Sequence, residues 1–227
     1  MLQLVIGNKN YSSWSMRPWV LMRHFGIDFA EIKLRFDFTP DSAFYRELAR
    51  HTPAGRVPVL LIDGFAVWDT LAIAETLADR FPDLPLRPRD ALQRARARSL
   101  AAEMHAGFTA LRNHCPMNIE AVLPEVGARV LAAEVGVRRD LARIDQMWSE
   151  QLAASGGPFL FGAFGAVDAY YAPVVARVRG YALPLSAPAQ GYVERLWASP
   201  GVSAWVTDAL AERDFLDFEE PYRKART

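Results

Sequence analysis

The period of the hydrophobic residues changes at Pro82, and that change constrains the fold more than any other feature of this 227-residue chain. Before Pro82, short apolar runs alternate with helical stretches. Leu2 to Ile6 is a continuous apolar run of the kind a buried strand carries. Ile32, Leu34 and Phe36 alternate with Lys33 and Arg35, the pattern of a half-buried strand. Val57 to Ile62 is followed by Asp63-Gly64 and then Phe65 to Trp68, and Asp-Gly between two apolar runs signals a hairpin. A helical stretch through Pro18, Val20-Leu21 and Phe25 ends at Gly26. Asp69 or Thr70 starts another, striped by Leu71, Ala74, Leu77, Ala78 and Phe81. The resulting order is βαβ followed by ββα, a mixed α/β layer.

Pro82, Pro85 and Pro88 place a linker over residues 82–90, and beyond it only helical periods remain. Leu100, Met104, Phe108 and Leu111 are spaced as one amphipathic helix. Val130, Ala133, Val137, Leu141, Ile144, Trp148 and Leu152 are spaced as another. Val167 to Arg179, Gln190 to Ala198 and Val202 to Glu212 complete an all-α half.

Charge and cysteine content exclude several classes of partner. Lys plus Arg is 26 and Asp plus Glu is 26, so the chain lacks the basic footprint expected of a nucleic-acid binder or an anionic-membrane binder. One cysteine rules out a disulfide framework and suits a reducing, cytoplasmic compartment, as does an N-terminus without a basic start or cleavage site. The apolar stretch from Phe159 to Ala176 contains Asp168 and Pro173. A mid-bilayer Asp costs roughly 2.5–3.5 kcal/mol, so this stretch is expected in the protein interior.

Familiar chemistries are missing. No G-x-S-x-G elbow occurs. Gly157 and Gly162 have phosphate-loop spacing, but Ala163 stands where the Lys is needed. His24, His51, His105 and His114 show no metal-ligand spacing, so no metal site is expected. Cys115, beside Pro116, is expected as a half-buried thiol at a helix end.

Three segments carry candidate chemistry. Asn10-Tyr11-Ser12-Ser13-Trp14-Ser15-Met16-Arg17-Pro18-Trp19 joins the first strand to the first helix. A helix N-terminus has unpaired N–H groups and partial positive charge, and it stabilises anions, including a thiolate. The same serines also suit plain N-caps. In Pro53-Ala54-Gly55-Arg56-Val57-Pro58-Val59 a cis Val57–Pro58 bond would offer the Val57 backbone to an extended peptide ligand; a trans edge proline would not. In Val67-Trp68-Asp69-Thr70, Asp69 can take an ammonium while the Thr70 hydroxyl and helix N–H groups take a carboxylate; both residues also suit simple capping.

In this order and spacing the three segments resemble the cytosolic glutathione transferase superfamily over nearly the whole chain. The Ser-Ser-x-Ser-x-Arg pattern at Ser12 to Arg17 is most similar to the zeta, maleylacetoacetate isomerase type and to a bacterial group with Tyr-Ser-Ser-Trp-Ser-x-Arg-Pro-Trp. The resemblance implies a thioredoxin-like domain at 1–81, a linker at 82–90 and an all-helical domain at 91–227. It implies that Ser12 donates a hydrogen bond to the glutathione sulfur, with Ser13 second and Tyr11 third. Glutathione, the co-substrate, would be held by Arg56, Val57, Pro58, Asp69 and Thr70. A small hydrophobic or acidic electrophile would meet Trp14, Met104, His105, Phe108 and Arg112, of which Met104 and Phe108 equally suit the core. Gly165 replaces the hydroxyl residue three positions before Asp168 and puts the usual capping box in doubt. The implied activity is glutathione transfer; the alternatives are glutathione-dependent cis–trans isomerisation and non-catalytic binding. A homodimer is also implied.

Overall fold

The Asp63-Gly64 turn folds as its sequence dictates. In the computed structural model, which describes residues 1–226, both residues have positive φ, 50° and 88°, as a two-residue hairpin turn requires. The turn joins β3 (Val59–Ile62) to β4 (Phe65–Val67), with Ile62 opposite Phe65. The preceding elements are β1 (Leu2–Ile6), α1 (Ser13–His24), β2 (Ala30–Lys33) and α2 (Ala43–Leu48), and α3 (Thr70–Arg80) follows the hairpin. The sheet order is β2-β1-β3-β4, parallel at β1–β2 and antiparallel elsewhere. This is the thioredoxin-like βαβ-ββα layer.

The second strand is shorter than its alternation suggests. The Leu34 N–H still donates to Ile6 C=O at 2.8 Å, but the Phe36 N–H goes to Asn8 Oδ1 at 2.8 Å, so the ladder ends while Leu34 and Phe36 keep facing inward.

The second half is helical: α4 (Ala91–Ala106), α5 (Thr109–His114), α6 (Pro124–Ala133), α7 (Val135–Ser155), α8 (Ala166–Gly180), α9 (Ala187–Trp197) and α10 (Pro200–Glu212), then a 3₁₀ turn at Asp217–Glu219. Two helices expected as continuous are broken. The stripe Leu100–Leu111 is interrupted at Gly107–Phe108, where Phe108 takes φ 55°. The new helix start is capped from outside, because Asp140 of α7 accepts the Leu111 N–H at 2.9 Å. The stripe Val130–Leu152 is interrupted at Glu134, which is extended (φ −104°, ψ 97°), and Arg138 donates to the freed Ala132 carbonyl at 3.1 Å. Cys115 is fully buried rather than half-buried, and burial pushes its thiol up to about 11.

Helix α1 is the contact between the two halves. Every residue from Ser15 to Met22 is buried. Trp19 meets Trp205 of α10 edge-on at 5.3 Å. Gly201 lets α10 approach closely, since a Cβ there would lie 2.4 Å from the Val20 carbonyl oxygen. Buried Lys9 binds Glu31 and Asp208, each at 2.6 Å. The segment between α3 and α4 is also fixed: Leu86 is fully buried and its carbonyl accepts from Ala166 N at 2.7 Å.

Asp168 organises the start of α8 although Gly165 has no hydroxyl to complete a reciprocal box. Its carboxylate accepts from Gly165 N (2.9 Å), Leu160 N (3.2 Å) and Tyr192 Oη (2.8 Å). Burial pushes its pKa up to about 6, against those three donors. The native state therefore holds a proton between about pH 4 and 6 that an unfolded Asp, with a pKa near 3.9, releases. This group's contribution to stability declines as pH rises through that window. Asp168→Ala is expected to lower stability by about 3 kcal/mol by urea denaturation and to remove this pH dependence. An unchanged slope would place the titration elsewhere.

Candidate functional site

Ser12 is the N-cap of α1, yet its side chain makes no capping hydrogen bond. Its hydroxyl instead donates to Ser15 Oγ at 2.7 Å, and Ser15 Oγ also accepts the Gly7 N–H at 3.2 Å. Among the described residues the N–H groups of Trp14 and Ser15, at the second and third positions of the helix, have no acceptor. The positive end of α1 is therefore open to an anion.

This helix end faces a cavity of about 390 Å³. Tyr11, Ser12, Ser13 and Trp14 form its floor, and Arg56 and Val57 line one side. The Val57–Pro58 peptide is cis, and among the described residues Val57 enters no loop or cap backbone hydrogen bond. Pro58 is buried behind it. Three arginines line the cavity: Arg56, Arg112 and Arg177. A fourth, Arg17, lies behind Trp14 with its guanidinium 4.1 Å from the ring centre, while Arg112 lies 4.9 Å from it. Arg17 is 2 % exposed, and among the described residues its Nε and one terminal nitrogen have no hydrogen-bond partner. Burial lowers its pKa to about 9. Arg177, whose Nε donates to Cys115 C=O at 2.8 Å, is lowered to about 10 by burial.

Asp69 caps α3, its Oδ1 accepting from Leu71 N at 3.0 Å. Its Oδ2 lies 3.2 Å from His105 Nε2, and His105 packs edge-on against Trp14 at 5.1 Å. Burial lowers the His105 pKa, and Asp69 opposes that shift. Thr70 is buried beside Asp69, with its hydroxyl near that of Tyr170. Asp69, Thr70 and His105 do not line the cavity; of the three, His105 packs against Trp14, which does. Met104 and Phe108 do not reach it; both are packed in the core.

The C-terminal segment forms a wall that the sequence reading missed. Glu220 accepts from Tyr11 Oη (2.7 Å), Asn118 Nδ2 (2.8 Å) and Arg223 Nε (2.9 Å). The Tyr11 hydroxyl is therefore engaged by this segment while Tyr11 still lines the cavity, and burial together with Glu220 pushes its pKa up to about 12. Glu219 of this strap lines the cavity together with the aromatic side chains Phe36, Phe38, Phe44 and Tyr45. No sequence motif marks Glu219 or Glu220. Arg177 had a signal, a charge closing an otherwise apolar helix.

Residues 11–80 match the glutathione S-transferase N-terminal domain, and residues 89–208 match the glutathione S-transferase C-terminal domain. A probable maleylacetoacetate isomerase of Caenorhabditis elegans is 29% identical over 101 residues, 44% of this chain and 45% of that protein. Maleylacetoacetate isomerase of Rattus norvegicus is 30% identical over 101 residues, 44% of this chain and 46% of that protein. The chain thus spans about half the length of these isomerase relatives. Glutathione S-transferase 1 of Dianthus caryophyllus is 26% identical over 178 residues, 77% of each chain. A glutathione transferase homologue from Burkholderia gl BGR1, crystallised with bound glutathione, superposes with a TM-score of 0.70 at 23% identity, covering 92% of this chain and 98% of that one.

The strap generates its own prediction. Glu220→Ala removes the shared acceptor of Tyr11, Asn118 and Arg223, leaving two buried donors and a cation without it. It is expected to cost about 3 kcal/mol in stability and to speed tryptic cleavage at Arg223 and Lys224. Unchanged cleavage would show that the segment is held by something other than Glu220.

Proposed function

The chain belongs to the glutathione S-transferase family, and on that footing we propose that it binds glutathione and adds its thiolate to a small electrophile. The observation that carries this reading is Ser12: an N-cap hydroxyl released from capping, at the open end of a buried helix, on the floor of a cavity. A free thiol has a pKa of about 8.5, so little of it is ionised at neutral pH. Hydrogen bonding to the charged sulfur lowers that value. In the proposed cycle the thiol proton leaves to water and the Ser12 O–H donates to the sulfur anion. The sulfur lone pair then forms the C–S bond, and the electrophile's displaced electron pair leaves with its leaving group or takes a proton.

The rest of the peptide has partners to match its ends. Asp69 supports the γ-glutamyl ammonium, and the Thr70 hydroxyl supports the adjacent carboxylate. Val57 offers its backbone N–H and C=O to the cysteinyl unit, with Pro58 shaping that edge. Arg56 supports the glycyl carboxylate. Ser13 remains the second choice for the sulfur. For the electrophile, Trp14 and Arg112 form the facing wall, with His105 behind Trp14.

One observation favours a second reading. Arg112 and Arg177 at the cavity, with Arg17 behind it, suit an acidic electrophile. Relatives named maleylacetoacetate isomerase agree with glutathione-dependent cis–trans isomerisation, in which glutathione adds and leaves again. Mass analysis of products separates the two, because isomerisation leaves no glutathione adduct. We also propose a homodimer, the domain division 1–81, 82–90 and 91–227, and a cytoplasmic location. Among the described residues no helix is long and apolar enough to cross a membrane.

Ser12→Ala is expected to lower kcat/KM toward an activated aryl halide about a hundredfold, with glutathione affinity within about threefold of the parent. Full activity in Ser12→Ala with loss in Ser13→Ala would move the role to Ser13. Glutathione binding without a lowered thiol pKa in the parent would favour a non-catalytic binding protein.

A further inference from the structure

Ser15 is fully buried one turn into α1, and it faces Ser12 rather than any ligand space. A serine inside a helix commonly donates back to the carbonyl four residues earlier. Here no such bond to Tyr11 C=O forms among the described residues. Its oxygen accepts two hydrogen bonds instead, from the Ser12 hydroxyl at 2.7 Å and from the Gly7 N–H at 3.2 Å. Gly7 directly follows β1, so Ser15 is tied to the end of the central strand as well as to the helix. Ser12 in turn is 5 % exposed and, among the described residues, has no other side-chain partner.

We infer that Ser15 is a positioning residue that holds the Ser12 hydroxyl off its capping orientation and aims it at a thiolate. The inference rests on the proposed role of Ser12. An N-cap serine ordinarily accepts from the second or third backbone N–H of its helix. The Ser15 bond keeps Ser12 from doing so, which leaves both the hydroxyl and those N–H groups for an anion. Without a ligand, Ser12 donates to Ser15. With a sulfur anion in the cavity, the Ser12 O–H turns to the sulfur and the Ser15 O–H donates to Ser12 Oγ. Ser12 Oγ is the side-chain acceptor within its reach. A hydroxyl that accepts a hydrogen bond becomes a stronger donor, so the chain from Gly7 through Ser15 to Ser12 strengthens the final bond. Nothing covalent changes in this step; two hydroxyl protons reorient.

The test compares the parent with Ser15→Ala, Ser15→Cys, Ser12→Ala and the double variant Ser12→Ala/Ser15→Ala, all as full chains checked by circular dichroism. Thiolate absorbance of bound glutathione is followed against pH, and kcat and KM are measured with an activated aryl halide. Ser15→Ala and Ser15→Cys are expected to lower kcat about tenfold, leave the glutathione KM within about twofold, and raise the bound thiol pKa toward the free value. Because Ser15 acts through Ser12, the double variant is expected to match Ser12→Ala alone. If Ser15→Ala does not fold, Ser15→Cys, which fills the same space with a weak hydrogen-bonding group, decides the matter. A thiol pKa that both Ser15 variants keep at the parent value overturns the inference. So do losses that multiply with those of Ser12→Ala. If the parent itself shows no lowered thiol pKa, the proposed function fails instead, and the two failures are distinguishable.

Discussion

The burial of α1 on all sides is the constraint on which the rest of this structure depends. The helix lies against the sheet and against α8 and α10, with Met16, Trp19, Val20, Leu21 and Met22 fully or almost fully enclosed. Burial of each such side chain contributes about 1.5–3 kcal/mol. A helix enclosed in this way has no freedom to tilt, so its N-terminus has one position relative to the loops around it. Lys9, Trp19 and Trp205 reinforce that position where the halves meet, since Trp205 Nε1 donates to Lys9 C=O at 3.0 Å and the Lys9 ammonium sits 4.5 Å from the Trp19 ring centre.

The enclosed helix has a polar consequence at its working end. Arg17 is carried into the interior by the same turn that leaves Ser13 and Trp14 half-buried. Its charge is desolvated and only partly compensated by the faces of Trp14 and Tyr170, the latter ring centred 5.0 Å away. With Arg112 and Arg177 it makes the wall around Trp14 electropositive, in a chain whose formal net charge is zero. Local field and overall charge are separate quantities, and the cavity's preference follows the local one.

Much of the fold was legible along the chain because its signals are local. Asp63-Gly64 fixes a hairpin through the φ values it tolerates, and Asp69 caps α3 through an oxygen two residues from the N–H it accepts. The helix breaks at Gly107–Phe108 and Glu134 were not legible. Apolar spacing runs through both, and the residues that satisfy the broken ends, Asp140 and Arg138, act across helices or after the break. The candidate site divides the same way. Ser12, Ser13, Trp14, Arg56, Val57 and Arg112 meet at one cavity, whereas Met104 and Phe108 share the helical stripe of core residues and are spent on packing.

By itself the sequence determined the class of fold and the place of the hairpin turn and of the α3 cap, since each depends on backbone preferences within a few residues. Only the tertiary structure decided which polar groups are left unspent. Ser12 donates to Ser15 Oγ at 2.7 Å instead of capping α1, and the Tyr11 hydroxyl donates to Glu220, 209 residues away. A hydroxyl's role depends on which acceptors burial brings within hydrogen-bond distance, and those acceptors come from anywhere in the chain.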